Sequence, residues 1–120
     1  MTPDPGAVAA LLPLPRAAFH ILLALAAGDR HGYGIIQDVA ALTGGALRLS
    51  PGTLYRTIQR LLEQGLIVEP RKAAGPTDDP RRRYYRITSF GTAVARAESR
   101  RLAQVVRLAQ GAGLLAPDAS

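Results

Sequence analysis

Ser50-Pro51-Gly52-Thr53-Leu54-Tyr55-Arg56-Thr57-Ile58-Gln59-Arg60-Leu61-Leu62-Glu63-Gln64-Gly65-Leu66-Ile67-Val68 packs a helix start, a two-faced helix and a strand start into consecutive residues. Ser50 is a side chain that caps helices by accepting an orphan backbone N–H. Pro51 suits the first helical position, where its missing N–H costs nothing and its fixed φ fits. Leu54, Ile58, Leu61 and Leu62 recur at helical spacing, while Thr53, Arg56, Thr57, Arg60 and Gln64 gather on the other side. Gly65 offers the positive φ at which such a helix commonly ends, and the β-branched pair Ile67-Val68 follows at once. One face suits a core and the other carries donors and positive charge. This pattern predicts a DNA-recognition helix that feeds a β-wing.

Upstream, residues 1–13 hold three prolines and a short apolar patch, which reads as an irregular arm with room for one helical turn. Pro15 opens a nearly all-apolar helix that Gly28 closes, with Phe19, Leu22 and Leu23 along one side and burial expected on most sides. Asp29-Arg30-His31-Gly32 reads as a turn in which Gly32 takes the unusual backbone angle and Tyr33 packs inward. A second helix runs from Tyr33 to about Leu42, with Ile35, Ile36, Val39, Ala40 and Leu42 as its apolar side, and Gly44-Gly45 stops it. Leu47-Arg48-Leu49 alternates apolar, charged, apolar, and predicts a very short strand.

Downstream, Leu66 to Glu69, a polar loop from Pro70 to Pro80 and Arg83-Tyr84-Tyr85-Arg86-Ile87 predict a long hairpin, basic at both ends. Strand alternation places Arg83 and Tyr85 on one face and Tyr84 on the other. Thr88 or Ser89 caps a last helix, which Gly111 and Gly113 end. The expected fold is mainly α with a small β-hairpin wing: a winged helix-turn-helix followed by a C-terminal dimerisation helix. The divisions are an arm at 1–13, the winged domain at 14–88, the dimerisation helix at 89–110 and a tail at 111–120.

At 120 residues the chain suits one domain that gains burial by dimerising. Its net charge of +6 comes from arginine, with a single lysine among fifteen basic residues. The planar guanidinium fork grips phosphate and guanine edges bidentately. The same bias, with this much Ala, Leu and Gly, also fits a high-GC genome, so position must decide. Nine of the fifteen basic residues fall between Arg48 and Arg86, against four acidic ones, so the excess sits on the elements that would face DNA.

The absence of cysteine excludes disulfides, thiolate metal sites and a thiol nucleophile, and His20 and His31 are too few for a metal site unaided. No cofactor is expected. No apolar run approaches the roughly 20 residues of a membrane span. Met1-Thr2-Pro3-Asp4 lacks the basic start of a secretion signal, so a soluble cytoplasmic protein is the default. No nucleophile, base and orienting acid assemble from neighbouring signals, and no phosphate-cradling glycine loop is present, so an enzyme is not expected.

The expected DNA contacts are Ser50, Thr53, Tyr55, Arg56 and Arg60 on the recognition helix and Arg81, Arg82 and Arg83 on the wing. Thr53 and Arg56 lie in the first turns, where base edges are read, and Arg60 reaches a base or a phosphate. Tyr55, at the edge of the apolar stripe, fits either a phosphate contact or the core. The last helix carries an apolar stripe beyond the compact unit, for which a second copy is the simplest partner. The expected dimerisation residues are Phe19, Leu22, Phe90, Val94, Leu102, Val105, Val106 and Ala109. The rival reading is a winged-helix interaction module whose basic face meets an acidic partner protein.

Four stretches together are specific: Ala24-Leu25-Ala26 with His31-Gly32-Tyr33-Gly34-Ile35; Leu49-Ser50-Pro51-Gly52-Thr53-Leu54-Tyr55; Leu61-Leu62-Glu63-Gln64-Gly65-Leu66-Ile67; and Arg82-Arg83-Tyr84-Tyr85-Arg86-Ile87-Thr88 with Gly91. In order and spacing they closely resemble the PadR-like transcriptional regulators, over roughly residues 14–110. The resemblance implies a homodimeric bacterial repressor on double-stranded DNA, whose C-terminal helix docks on the partner's N- and C-terminal helices. Members bind inverted repeats, often near their own promoter. Some respond to phenolic acids or planar hydrophobic drugs at the dimer interface, which implies a small hydrophobic effector here. This chain departs from the drug-binding members in lacking tryptophan, so Phe19, Phe90 and aliphatic side chains would have to line such a site.

Overall fold

The computed structural model describes residues 3–70 and 83–117. Helices α1 (Pro5–Ala9), α2 (Arg16–Ala26), α3 (Gly32–Leu42), α4 (Pro51–Glu63) and α5 (Ser89–Gly111) surround strands β1 (Arg30–His31), β2 (Ile67–Val68) and β3 (Tyr84–Ile87). Helix α2 lies at the centre, touching α3, α4, α5 and β3. Its buried stripe is Ala18, Ile21, Leu22, Ala24 and Leu25, whereas Leu23, grouped by the sequence with Phe19 and Leu22, is exposed. Ile35, Val39, Leu49, Leu54, Ile58, Leu61, Leu66, Ile67, Tyr85 and Val94 complete the core. The arm contains one short helix, α1, which buries none of its own residues and rests on α5.

The sheet runs β1-β3-β2, antiparallel throughout, with Arg30 opposite Tyr85 and His31 opposite Tyr84 on one side of β3. Ile67 opposite Ile87 and Val68 opposite Arg86 form the other side. Two expectations are corrected here. Leu47–Leu49 is not a strand: the Leu47 N–H donates to Thr43 Oγ1 (3.0 Å), and the segment is irregular with Leu49 tucked into the core. The short strand is instead Arg30–His31, expected as a turn, which exists because β3 offers a free edge to pair with. Strand β3 obeys the predicted alternation, burying Tyr85 and exposing Tyr84 and Arg86. Most of the expected hairpin loop lies outside the described residues.

Two contacts fix α5 on the winged unit. Thr88 caps it: Oγ1 accepts the Gly91 N–H (2.9 Å) and itself reaches the Gly65 carbonyl (2.7 Å), tying α5 to the turn that ends α4. Gly91 lies so close to the Leu66 carbonyl that a methyl group there would overlap its oxygen. One turn beyond Val94, Glu98 is 2% exposed and its carboxylate accepts the Leu14 N–H (2.9 Å) and the Arg101 Nε–H (2.5 Å). The start of α2 is thereby joined to the middle of α5, a link that sequence reasoning passed over. The Arg101 guanidinium, with help from the Leu14 N–H, holds the Glu98 carboxyl below its ordinary range despite its burial. Among the described residues, every buried side-chain polar atom has a hydrogen-bond partner. No helix among them is long and apolar enough to cross a membrane.

Candidate nucleic-acid interface

Helix α4 begins where the sequence places it. Ser50 Oγ accepts the Thr53 N–H (3.1 Å), Pro51 occupies the first turn, and Gly65 ends the segment at φ 75°. Leu54, Ile58 and Leu61 seat the helix on the core, leaving Tyr55, Arg56, Gln59, Arg60 and Glu63 exposed. Thr53 is half-buried, and its hydroxyl meets Ser50 Oγ (3.1 Å). Arg56 and Arg60, one turn apart, have no hydrogen bond or ion pair to a described residue. A cleft of about 240 Å³ runs beside them, floored by Leu11, Leu14, Ala18 and Leu61.

The wing differs electrostatically from this helix. Arg86 clamps Asp29 with two nitrogens (Nε to Oδ1 3.0 Å, Nη2 to Oδ2 2.7 Å), which lowers the Asp29 carboxyl and raises the guanidinium from their ordinary values. Arg83 pairs with Glu69 (3.6 Å) and Arg30 with Asp38 (2.7 Å). Their charges are largely compensated, so the uncompensated positive charge of the described residues on this side belongs to Arg48, Arg56 and Arg60. That is the arrangement a helix entering an anionic groove needs. Arg81 and Arg82, the other expected wing contacts, lie outside the described residues.

The junction of β1 and α3 departs from expectation. His31 caps α3, its Nδ1 accepting the Gly34 N–H (2.9 Å), and its ring meets Tyr84 edge-on at 5.6 Å. Gly32 has ordinary backbone angles, and its missing side chain serves a different purpose: a Cβ would lie 2.5 Å from Tyr55 Oη. Tyr55 therefore leans over Gly32 and stays 40% exposed, which places it outside the core. Tyr33, expected to pack inward, is 61% exposed, because the buried stripe of α3 passes through Gly32, Gly34, Ile35 and Val39. Among the described residues there is no cluster of His, Asp or Glu suited to a metal ion.

The expected dimerisation residues divide into groups. Leu22 and Val94 are 0% exposed within one chain, so they belong to the core and cannot meet a second copy. Phe19 and Phe90 are half-buried against that core, and Ala109 is half-buried on α5. Leu102, Val105 and Val106 are exposed, together with Leu108, on the half of α5 that runs beyond the winged unit.

The pattern defining the Transcriptional regulator PadR-like family matches residues 21–97, which hold this helix-turn-helix with its capped, arginine-bearing second helix and its wing. The chain belongs to this family. Membership makes it a DNA-binding transcriptional regulator and not an enzyme. This PadR-like chain is 36% identical over 88 residues to "Transcriptional regulator Rv3488" of Mycobacterium tuberculosis, covering 73% of this chain and 77% of that protein. An uncharacterised protein of Lysinibacillus sphaericus is 38% identical over 65 residues, 54% of this chain and 58% of that protein. In fold, it is similar to a transcriptional regulator from Clostridium thermocellum (TM-score 0.66, 22% identity, 92% of this chain and 97% of that one). It is also similar to hsRosR-SG, whose structure is that of a complex (TM-score 0.60, 24% identity, 79% of each chain).

Proposed function

We propose that this PadR-like regulator acts as a homodimeric repressor that reads an inverted-repeat operator. Recognition helix α4 enters one major-groove half-site per protomer, about one helical turn or ~34 Å from the next. Thr53 and Arg56 read base edges, Arg60 holds a base or phosphate, and Ser50 and Tyr55 border the same face. Arg81, Arg82 and Arg83 grip the flanking backbone. The observation that carries this reading is the pair Arg56 and Arg60: two cations on the exposed face of a rigidly capped helix, without a partner among the described residues, whereas Arg30, Arg83 and Arg86 are each held by a carboxylate.

The dimer is proposed to form through Leu102, Val105, Val106 and Ala109, with Phe19 and Phe90 at its edge. Exposed aliphatic side chains in a row on one helix gain roughly 1.5–3 kcal/mol each when a second copy covers them. A small hydrophobic effector bound at that seam would release the operator by changing the distance between the two α4 helices.

The test is Arg56→Ala, titrated against the DNA upstream of the protein's own gene and against a random duplex. A loss of about 1–3 kcal/mol confined to the specific site supports base reading. Equal losses on both duplexes count against it.

A further inference from the structure

Three of the four tyrosines are exposed, Tyr33 at 61%, Tyr55 at 40% and Tyr84 at 41%, and each borders the His31–Gly32 segment. Tyr33 follows it directly. Tyr55 lays its hydroxyl over Gly32, and Tyr84 meets the His31 ring across the β1–β3 pairing. Tyr55 from α4 and Tyr84 from β3 thus meet the His31–Gly32 segment, and Tyr33 follows it in the first turn of α3. The hydroxyls of Tyr33 and Tyr55 make no hydrogen bond to a described residue. A phenolic hydroxyl without an acceptor among the described residues is a neutral donor, well suited to an anionic oxygen. The carboxylates of the adjoining segments do not oppose an anion there, because Asp29, Asp38 and Glu69 are each neutralised by an arginine.

Tyr55 also leans away from the outward line of Arg56 and Gln59, along which base edges are read, and towards α3. We propose that Tyr33 and Tyr55 donate hydrogen bonds to phosphate oxygens of one DNA strand as it passes over this seam. They form an uncharged backbone grip beside the base-reading face of Arg56. Gly32 is its positioning residue: without a side chain it lets the Tyr55 hydroxyl settle at the start of α3. This grip rests on the DNA-binding reading above and adds to it a contact that fixes the angle of the recognition helix without reading sequence.

The full chain carrying Tyr33→Phe, Tyr55→Phe or both is titrated by fluorescence anisotropy against a random-sequence duplex and the DNA upstream of its own gene, across a series of salt concentrations. Phenylalanine keeps each ring and removes only the hydroxyl. The expected result is a loss of about tenfold per hydroxyl on both duplexes. The slope of log affinity against log salt should stay unchanged, because no cation has been removed, and so should the thermal midpoint. Unaltered affinity would overturn this proposal alone, leaving DNA binding by the wild type intact. A loss confined to the upstream DNA would overturn it in favour of base contact, and a loss that follows a lowered thermal midpoint in favour of packing. Failure of the wild type to bind either duplex would overturn both the DNA-binding reading and this grip.

Discussion

Replacing Glu98 by Ala should destabilise the fold more than any other single change to an acidic residue. The substitution leaves the Leu14 N–H without an acceptor in a site that is 2% exposed at Glu98. An orphaned buried donor costs about 1–3 kcal/mol. Removing the buried methylene and carboxyl atoms beyond Cβ adds about 1 kcal/mol, less whatever the site recovers by closing. Arg101, whose side chain is 40% exposed, regains water and contributes little. The total is about 2–4 kcal/mol. With a urea slope of about 2 kcal/mol/M, the unfolding midpoint should fall by about 1–2 M when read at fixed protein concentration. Glu98→Gln keeps one acceptor oxygen for Leu14 and should lose less than half as much. A Glu98→Ala midpoint that implies less than about 0.5 kcal/mol would refute the reasoning, since it would mean that the Leu14–Glu98 bond does not hold α5 to the start of α2.

Stability should also fall with acid in a way that Glu98 shapes. Its carboxyl is held below the ordinary value of 4.5, so its contribution is complete above that pH and disappears as pH drops through the lower folded value; Glu98→Gln should show a shallower acid decline in the same window. Gly91→Ala forces a methyl group against the Leu66 carbonyl and should cost about 1–3 kcal/mol, measured by thermal unfolding, with a null effect showing that α5 can shift away freely. Val105→Asp places a charge on the exposed stripe of α5 and should convert the proposed dimer to monomer in sedimentation at micromolar concentration while leaving the far-ultraviolet dichroism unchanged. A dimer that persists would move the interface elsewhere.

What the chain discloses before folding follows from how local the signal is. The recognition helix was legible because its cap, its proline start, its stripe and its glycine stop all lie within the segment itself. Thr88 and the alternation at Tyr84 and Tyr85 were legible for the same reason. Strand β1 was not, since a two-residue strand is defined by its partner: Arg30 and His31 pair with residues more than fifty positions away. Leu47-Arg48-Leu49 shows the converse, an alternation with no neighbouring edge to join. Glu98 reads as one more polar position on a surface helix until the fold brings the Leu14 N–H, 84 residues distant, onto its carboxylate. Tyr33 misled because an aromatic next to two glycines suggests packing, whereas those glycines are themselves the buried face. Leu22 and Val94 share the pattern of interface residues and of core residues, and periodicity alone does not separate the two.

The central claim is that α4 reads DNA sequence. Its most direct test is the affinity of the purified chain for the DNA upstream of its own gene against a scrambled duplex of equal length, at about 150 mM salt so that phosphate attraction does not mask specificity. The expected result is a preference of roughly a thousandfold or more for the upstream DNA. Weak and equal binding to both would contradict the claim and would turn the basic face towards an acidic protein partner.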